Sequence, residues 1–310
     1  MAVTAQMVKE LREMTGAGMM DCKKALNATE GDMDKAVEFL REKGLAAMAN
    51  KANRIAAEGI VATKVCECGK AASIVEVNSE TDFVAKNADF QAYVAKVAAQ
   101  ALDTKAASME EFMAEPWAED TTLTVEQALS QKIAVIGEKL SIRRFEKAEV
   151  ENGVVASYIH GGGKIGVLVV LETEATGDAV VECGKNVAMQ VAALKPKYVD
   201  RSEVPADFIE HEKEILMAQI QNDPKESQKP EKVINGMING RLNKELKEVC
   251  LVDQVYVKDG DLTVQKYVDS VAKEVGAAIK VKSFIRFETG EGMEKREDDF
   301  AAEVAKQAGM

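Results

Sequence analysis

The chain has 310 residues, 46% hydrophobic and 30% charged, enough for a sizeable buried core and for more than one domain. Its net charge of −12 argues against nucleic acid as a direct ligand, because a phosphate backbone is held by a cationic field. No apolar run reaches bilayer length, no signal-peptide pattern opens the chain, and five irregularly spaced cysteines make no disulfide framework, so a reducing cytoplasm and no membrane contact are expected.

Residues 1–54 read as a bundle of three short helices. Thr4 can cap the first, with Met7, Val8, Leu11 and Met14 on one face. Thr15 to Gly18 breaks it, Met19 to Ala28 makes the second, Gly31-Asp32 opens the third, and Gly44 is expected to stop it. Met19 and Met20 are adjacent at a helix start, so they point in different directions. Core filling and an exposed, adaptable contact both stay open for them. A short connector follows at residues 50–58.

An internal repeat organises the middle of the chain. Gly59 to Thr63 (GIVAT) is echoed by Gly153 to Ser157 (GVVAS), and Gly69-Lys70 by Gly163-Lys164. Ile74-Val75 falls on Leu168-Val169, Val97 on Val191, Leu123 to Val125 (LTV) on Leu262 to Val264, and Ile142 to Glu146 resembles Phe284 to Glu288. Each copy, about 59–146 and 153–288, reads strand, turn, strand, helix, helix, strand. The fold class is therefore α+β, with a duplicated core of two subdomains.

Within the first copy, Cys66 and Cys68 lack the further ligands of a zinc site, about four in all, and are expected as buried thiols on a hairpin. Ser79 and Asp82 have the spacing of a capping box between an apolar strand and a helix running through Phe90, Val94 and Val97. Phe83 would sit in the first turn of that helix, either as an exposed wedge or folded back as a staple. Its register partner in the second copy is Gly177, not an apolar residue, which favours the wedge. An acidic, Trp-containing stretch around Glu110 to Asp120 has no evident role.

His160-Gly161-Gly162-Gly163-Lys164 fails as a phosphate loop, because Ile165 follows the lysine and a strand follows in turn; it is expected to be a hairpin loop with a solvated histidine. About 45 residues are inserted in the second copy. Helical patterns over 206–221 and 231–250 flank a polar, Pro-containing turn and predict an antiparallel helical hairpin. The last residues carry Phe300 and Val304 on a further helical stripe. The expected division is 1–54, the helical bundle; 55–146, the first core subdomain; 147–200 and 253–289, the second; 201–252, the inserted hairpin; and 290–310, a C-terminal helical module. No nucleophile–base–orienter set, metal quartet or dinucleotide fingerprint stands out, so no catalytic residue, metal or cofactor is assigned.

With these elements placed, the chain resembles the bacterial elongation factor Ts family over nearly its whole length. The resemblance is carried by Val8 to Glu13, Thr15 to Leu26, Glu76-Val77-Asn78, Thr81 to Lys86, Ile136 to Glu138, Ile142 to Arg144, His160-Gly161, Lys164 to Val169, Val191 to Ala193 with Lys195-Pro196, and Phe284 to Glu288 with Gly290 to Gly292. It implies a non-enzymatic nucleotide exchange factor that binds the GTPase elongation factor Tu, both GDP-bound and nucleotide-free. It also implies an N-terminal bundle like a ubiquitin-associated domain, a coiled-coil hairpin and a C-terminal helix. The family's partner contacts fall on Arg12, Met19, Met20 and Lys23 in the bundle, on Thr81, Asp82, Phe83 and Val84, on His160, and on Val257. Asp82 and Phe83 would enter the GTPase near its magnesium site. The loop after His160-Gly161 departs from the family pattern: lysine replaces arginine and one glycine is added. Two rivals stay open: an enzyme with an unrecognised site in the core, and a module that self-associates through the hairpin.

Overall fold

The computed structural model describes residues 3–15 and 17–294. Three helices come first: α1 (Ala5–Thr15), α2 (Met19–Ala28) and α3 (Met33–Lys51). Val8, Leu11, Cys22, Ala25, Leu26 and Ala36 close a small core between them. Two expectations change here. Met14 does not join that core; it is 65% exposed. Gly44 does not end the third helix, which runs on to Lys51. A Cβ at Gly44 would lie 3.4 Å from the carbonyl oxygen and Oγ of Ser130, an ordinary van der Waals contact, so the helix packs against Ser130 there. The stabilisation of that packing outweighs the roughly 1 kcal/mol by which glycine disfavours a helix interior.

The first repeat copy follows as β1 (Glu58–Val65), β2 (Ala71–Ser79), α4 (Asp82–Ala85), α5 (Ala88–Asp103), α6 (Met109–Ala114), β3 (Pro116–Trp117), β4 (Asp120–Thr124), α7 (Val125–Ile136) and β5 (Leu140–Glu149). The second has β6 (Gly153–His160), β7 (Ile165–Glu172), α8 (Asp178–Leu194), then α9 (Ala206–Asn222) and α10 (Glu231–Val249), then β8 (Val255–Tyr256), β9 (Asp259–Thr263), α11 (Val264–Val275) and β10 (Lys280–Glu288). The copies make matching antiparallel sheets, in the orders β1-β2-β5 and β6-β7-β10.

The two sheets face each other. Ala72 and Ile74 of β2 and Leu168 and Val170 of β7 meet between them, with Val61, Val155 and Phe287. The alternate residues, Val75 and Val77 on one sheet and Val167, Val169 and Leu171 on the other, point away into the two helical layers. β7, covered on both faces, reads as a nearly continuous hydrophobic run, whereas β2 carries buried Ser73, Glu76 and Asn78 among its apolar residues. Each such valine, leucine or isoleucine contributes roughly 1.5–3 kcal/mol on burial.

Residues 116–124 have a counterpart in the second copy. Trp117 pairs with Asp120 as Tyr256 pairs with Asp259, and each small hairpin leads through a capping threonine, Thr124 or Thr263, into α7 or α11. Trp117 and Tyr256 are both buried, 6% and 4% exposed. The likeness extends the shared Leu-Thr-Val run, Leu123 to Val125 and Leu262 to Val264, back through Asp120 and Asp259. The inserted α9 and α10 pack as a hairpin around Leu216, Ile220, Ile238, Leu242 and Leu246. Arg241 clamps its turn, 2.7 Å from Glu226. The stripe expected at Phe300 and Val304 lies outside the described residues. No helix among the described residues is long and apolar enough to cross a membrane.

Candidate functional site

At the end of β2 the chain turns through Ser79, Glu80 and Thr81 into α4. The helix cap is Thr81, whose hydroxyl accepts from Val84 N, rather than Ser79, whose hydroxyl donates to the Thr81 carbonyl. Nor does one helix run on through Phe90. It stops at Lys86, and Asn87 caps a second helix by accepting from Asp89 N and Phe90 N. A cap side chain that satisfies backbone donors makes a restart stable by about 1 kcal/mol, enough to divide one apolar pattern into two elements.

The short helix splits its residues between inside and outside. Ala85 is buried and Val84 packs against the first subdomain's core, while Phe83 is 80% exposed. A large ring held out in water on a capped turn has no packing role in the free protein, and the staple alternative falls. Asp82 pairs with Lys86 at 2.6 Å, and that hydrogen bond, with the charges of Lys86 and Lys164, holds its carboxyl below the usual aspartate range. The turn is fixed from behind by Glu138. Its carboxylate accepts from Glu80 N, Thr81 N and the Thr81 hydroxyl, at 3.1, 3.1 and 2.7 Å. Glu80 in turn pairs with Arg54 at 3.2 Å. Glu138 and Thr81 are 57 residues apart, and no spacing rule connects them.

The His160 loop is the tight β6–β7 hairpin expected, and it lies beside this turn. Lys164 reaches Glu58 at 3.2 Å, and Glu58 is the ladder partner of Ser79. Gly163 has φ +99°, and a Cβ there would sit 2.7 Å from Ile60 Cβ, so the loop folds directly onto β1. The Gly163 carbonyl accepts from Val61 N at 2.7 Å and from the Thr289 hydroxyl at 3.0 Å. His160 is exposed, and a 3.0 Å hydrogen bond joins its Nδ1 to the Tyr158 hydroxyl. Thr81 to Val84 and His160 therefore share one edge of the molecule.

The other candidates form two separate patches. Met19 and Met20 are 59% and 64% exposed, and Met14, Arg12 and Lys23 of the same bundle are exposed as well. Val257, 43% exposed, tips the β8–β9 turn, where Gln190 accepts from its backbone N at 2.8 Å. Among the described residues, no hydrogen bond or ion pair joins either patch to Phe83 or His160.

Behind the site is a buried carboxylate. Glu76, fully buried, accepts from Arg143 at 3.0 Å, Arg144 at 2.6 Å, Asn78 at 3.0 Å and Gly290 N at 2.8 Å. Arg144 also reaches the Glu288 carbonyl. The network ties both sheets to the segment after β10. It uses the Glu76 to Asn78 and Ile142 to Arg144 runs singled out in the sequence, and it is structural: every carboxylate oxygen is engaged inward. Among the described residues, no group of three or more His, Cys, Asp and Glu could hold a metal.

A family model described as Elongation factor TS matches residues 80–291, from the Thr81 turn to the end of the Glu76 network. Curated relatives named Elongation factor Ts are similar along the whole chain. One from Clostridioides difficile (strain 630) is 57% identical over 305 residues, covering 98% of each chain. Another, from Clostridium tetani (strain Massachusetts / E88), is 54% identical over 305 residues, covering 98% of this chain and 99% of the relative.

Proposed function

The chain belongs to the elongation factor Ts family, and on that premise we propose that it promotes GDP release from the translational GTPase elongation factor Tu by disturbing the magnesium and phosphate site. Membership makes it a nucleotide exchange factor of translation elongation, with elongation factor Tu as partner. The finer mechanism rests on one observation: Phe83 is 80% exposed at the tip of a turn that Glu138 holds rigid.

A GTPase retains GDP through backbone donors of its phosphate loop and through magnesium. A protein that binds the nucleotide-free state more tightly must weaken nucleotide binding by the same factor. Moving the Phe83 ring from water into an apolar slot provides roughly 2–3 kcal/mol for that preference. Asp82, kept ionised beside it, adds a negative charge where a magnesium site is already coordinated by acceptors. His160, on the same edge, extends this contact. The methionine surface around Met19 and Met20 engages elsewhere on the GTPase and acts as an anchor, since methionine adapts to an irregular partner face. Arg12 and Lys23 frame that anchor, and Val257 adds a third contact. Such division of labour needs no chemistry from this chain, whose part is binding alone.

The test is direct. The purified chain, added in catalytic amount to elongation factor Tu loaded with a fluorescent GDP analogue, should accelerate release in the presence of excess unlabelled GDP. No acceleration would remove the proposal.

A further inference from the structure

Cys66 and Cys68 stand apart from every contact used above. They occupy the β1–β2 turn, at the opposite end of β2 from Phe83, about 26 Å away at ~3.3 Å per residue. They are not the buried thiols expected from the sequence: Cys68 is exposed, Cys66 half-buried, and their sulfurs are paired as a disulfide with Cα atoms 5.4 Å apart. Backbone hydrogen bonds close the turn on both sides of Cys68. Cys66 N donates to the Ala71 carbonyl at 2.8 Å, and Gly69 N to the Cys66 carbonyl at 3.0 Å. The turn is also docked on the second subdomain, where Val155 N donates to the Gly69 carbonyl at 2.8 Å. Two thiols in this turn would therefore stay neighbours after reduction. In addition, Cys66 Sγ accepts from Ala71 N at 3.3 Å, a donor that favours the sulfur as an anion. The other cysteines differ in kind. Cys22, Cys183 and Cys250 are fully buried, and burial pushes the last two thiols up to about 11.

We propose that Cys66 and Cys68 are a reversible dithiol–disulfide couple that reacts with low-molecular-weight disulfides. The exposed Cys68, having lost its proton to solvent, attacks one sulfur of the small disulfide. That S–S bond breaks, a small thiolate leaves and takes up a proton, and a mixed disulfide remains on Cys68. Cys66, as thiolate, then attacks Cys68 Sγ and expels the second small thiolate. Two protein thiols are oxidised to one disulfide, and one small disulfide is reduced to two thiols. An excess of small thiol drives both steps backwards.

The experiment uses the reduced, full-length chain with glutathione disulfide as probe, followed by alkylation, trypsin digestion and mass spectrometry. Cleavage after Lys64 and Lys70 puts both cysteines in one peptide. The expected product is that peptide lighter by two hydrogen atoms and unalkylated, restored by dithiothreitol. In Cys66→Ser the peptide should instead accumulate one glutathione on Cys68. That adduct should be at least about tenfold scarcer in the wild type, because the neighbouring thiol resolves it intramolecularly. The proposal is overturned if the wild-type peptide stays fully alkylated in excess glutathione disulfide. It is equally overturned if the wild type keeps as much adduct as Cys66→Ser, or yields only links between chains.

Discussion

Replacing Phe83 with alanine separates the ring's part in exchange from any part in folding. In the free protein the ring is 80% exposed, so only about a fifth of its ~200 Å² is covered. At ~25 cal/mol per Å² that is about 1 kcal/mol of stability at most, since an extended-chain reference overstates burial. In the complex, the lost transfer of ~2–3 kcal/mol corresponds to roughly 30- to 150-fold in an equilibrium constant. The part expressed in the rate should slow catalysed GDP release by at least about tenfold. Stopped-flow release of a fluorescent GDP analogue from elongation factor Tu reads this, beside a thermal melt of the variant alone. Unchanged release would refute the wedge. Lost release with a large fall in Tm would mean that the ring supports the core instead.

Met19→Ala combined with Met20→Ala should weaken complex formation more than it slows release from the formed complex; a titration with unaltered Kd and unaltered circular dichroism would exclude the anchor. Glu138→Ala leaves two backbone donors of the Thr81 turn without their carboxylate, at a cost of about 1–3 kcal/mol. Exchange should fall while binding through the methionine surface persists, and equal exchange rates would show that the turn needs no such brace. Glu76→Ala strands Arg143 and Arg144 at a buried site and should destabilise by roughly 3 kcal/mol or more, visible as a Tm several degrees lower. A Tm within one degree or so (about 0.3 kcal/mol) would deny the network its structural role. Finally, with 40 basic against 52 acidic residues, the chain alone should not bind tRNA appreciably at about 0.15 M salt. Submicromolar affinity in an anisotropy titration would reopen a nucleic-acid role.

Much of the architecture is written in short stretches of chain. The echo of Gly59 to Thr63 at Gly153 to Ser157 announces two sheets of one design, and α9 and α10 follow from apolar residues at helical spacing between two polar breaks. Thr124 and Thr263 cap equivalent helices because a cap satisfies donors only two or three residues away. Such features depend on neighbours in sequence, so one chain suffices to read them. What the tertiary structure decided are questions of which surfaces meet. Gly44 stays helical because Ser130 lies against it, a contact no local propensity encodes. Met14 shares the spacing of Val8 and Leu11 yet faces water. The Cys66–Cys68 pairing depends on how tightly one turn closes. Phe83 is found outside rather than folded back, on a turn pinned by a carboxylate 57 residues further along. Hydrogen bonds and burial of that kind are set by three-dimensional proximity, which only the folded chain supplies.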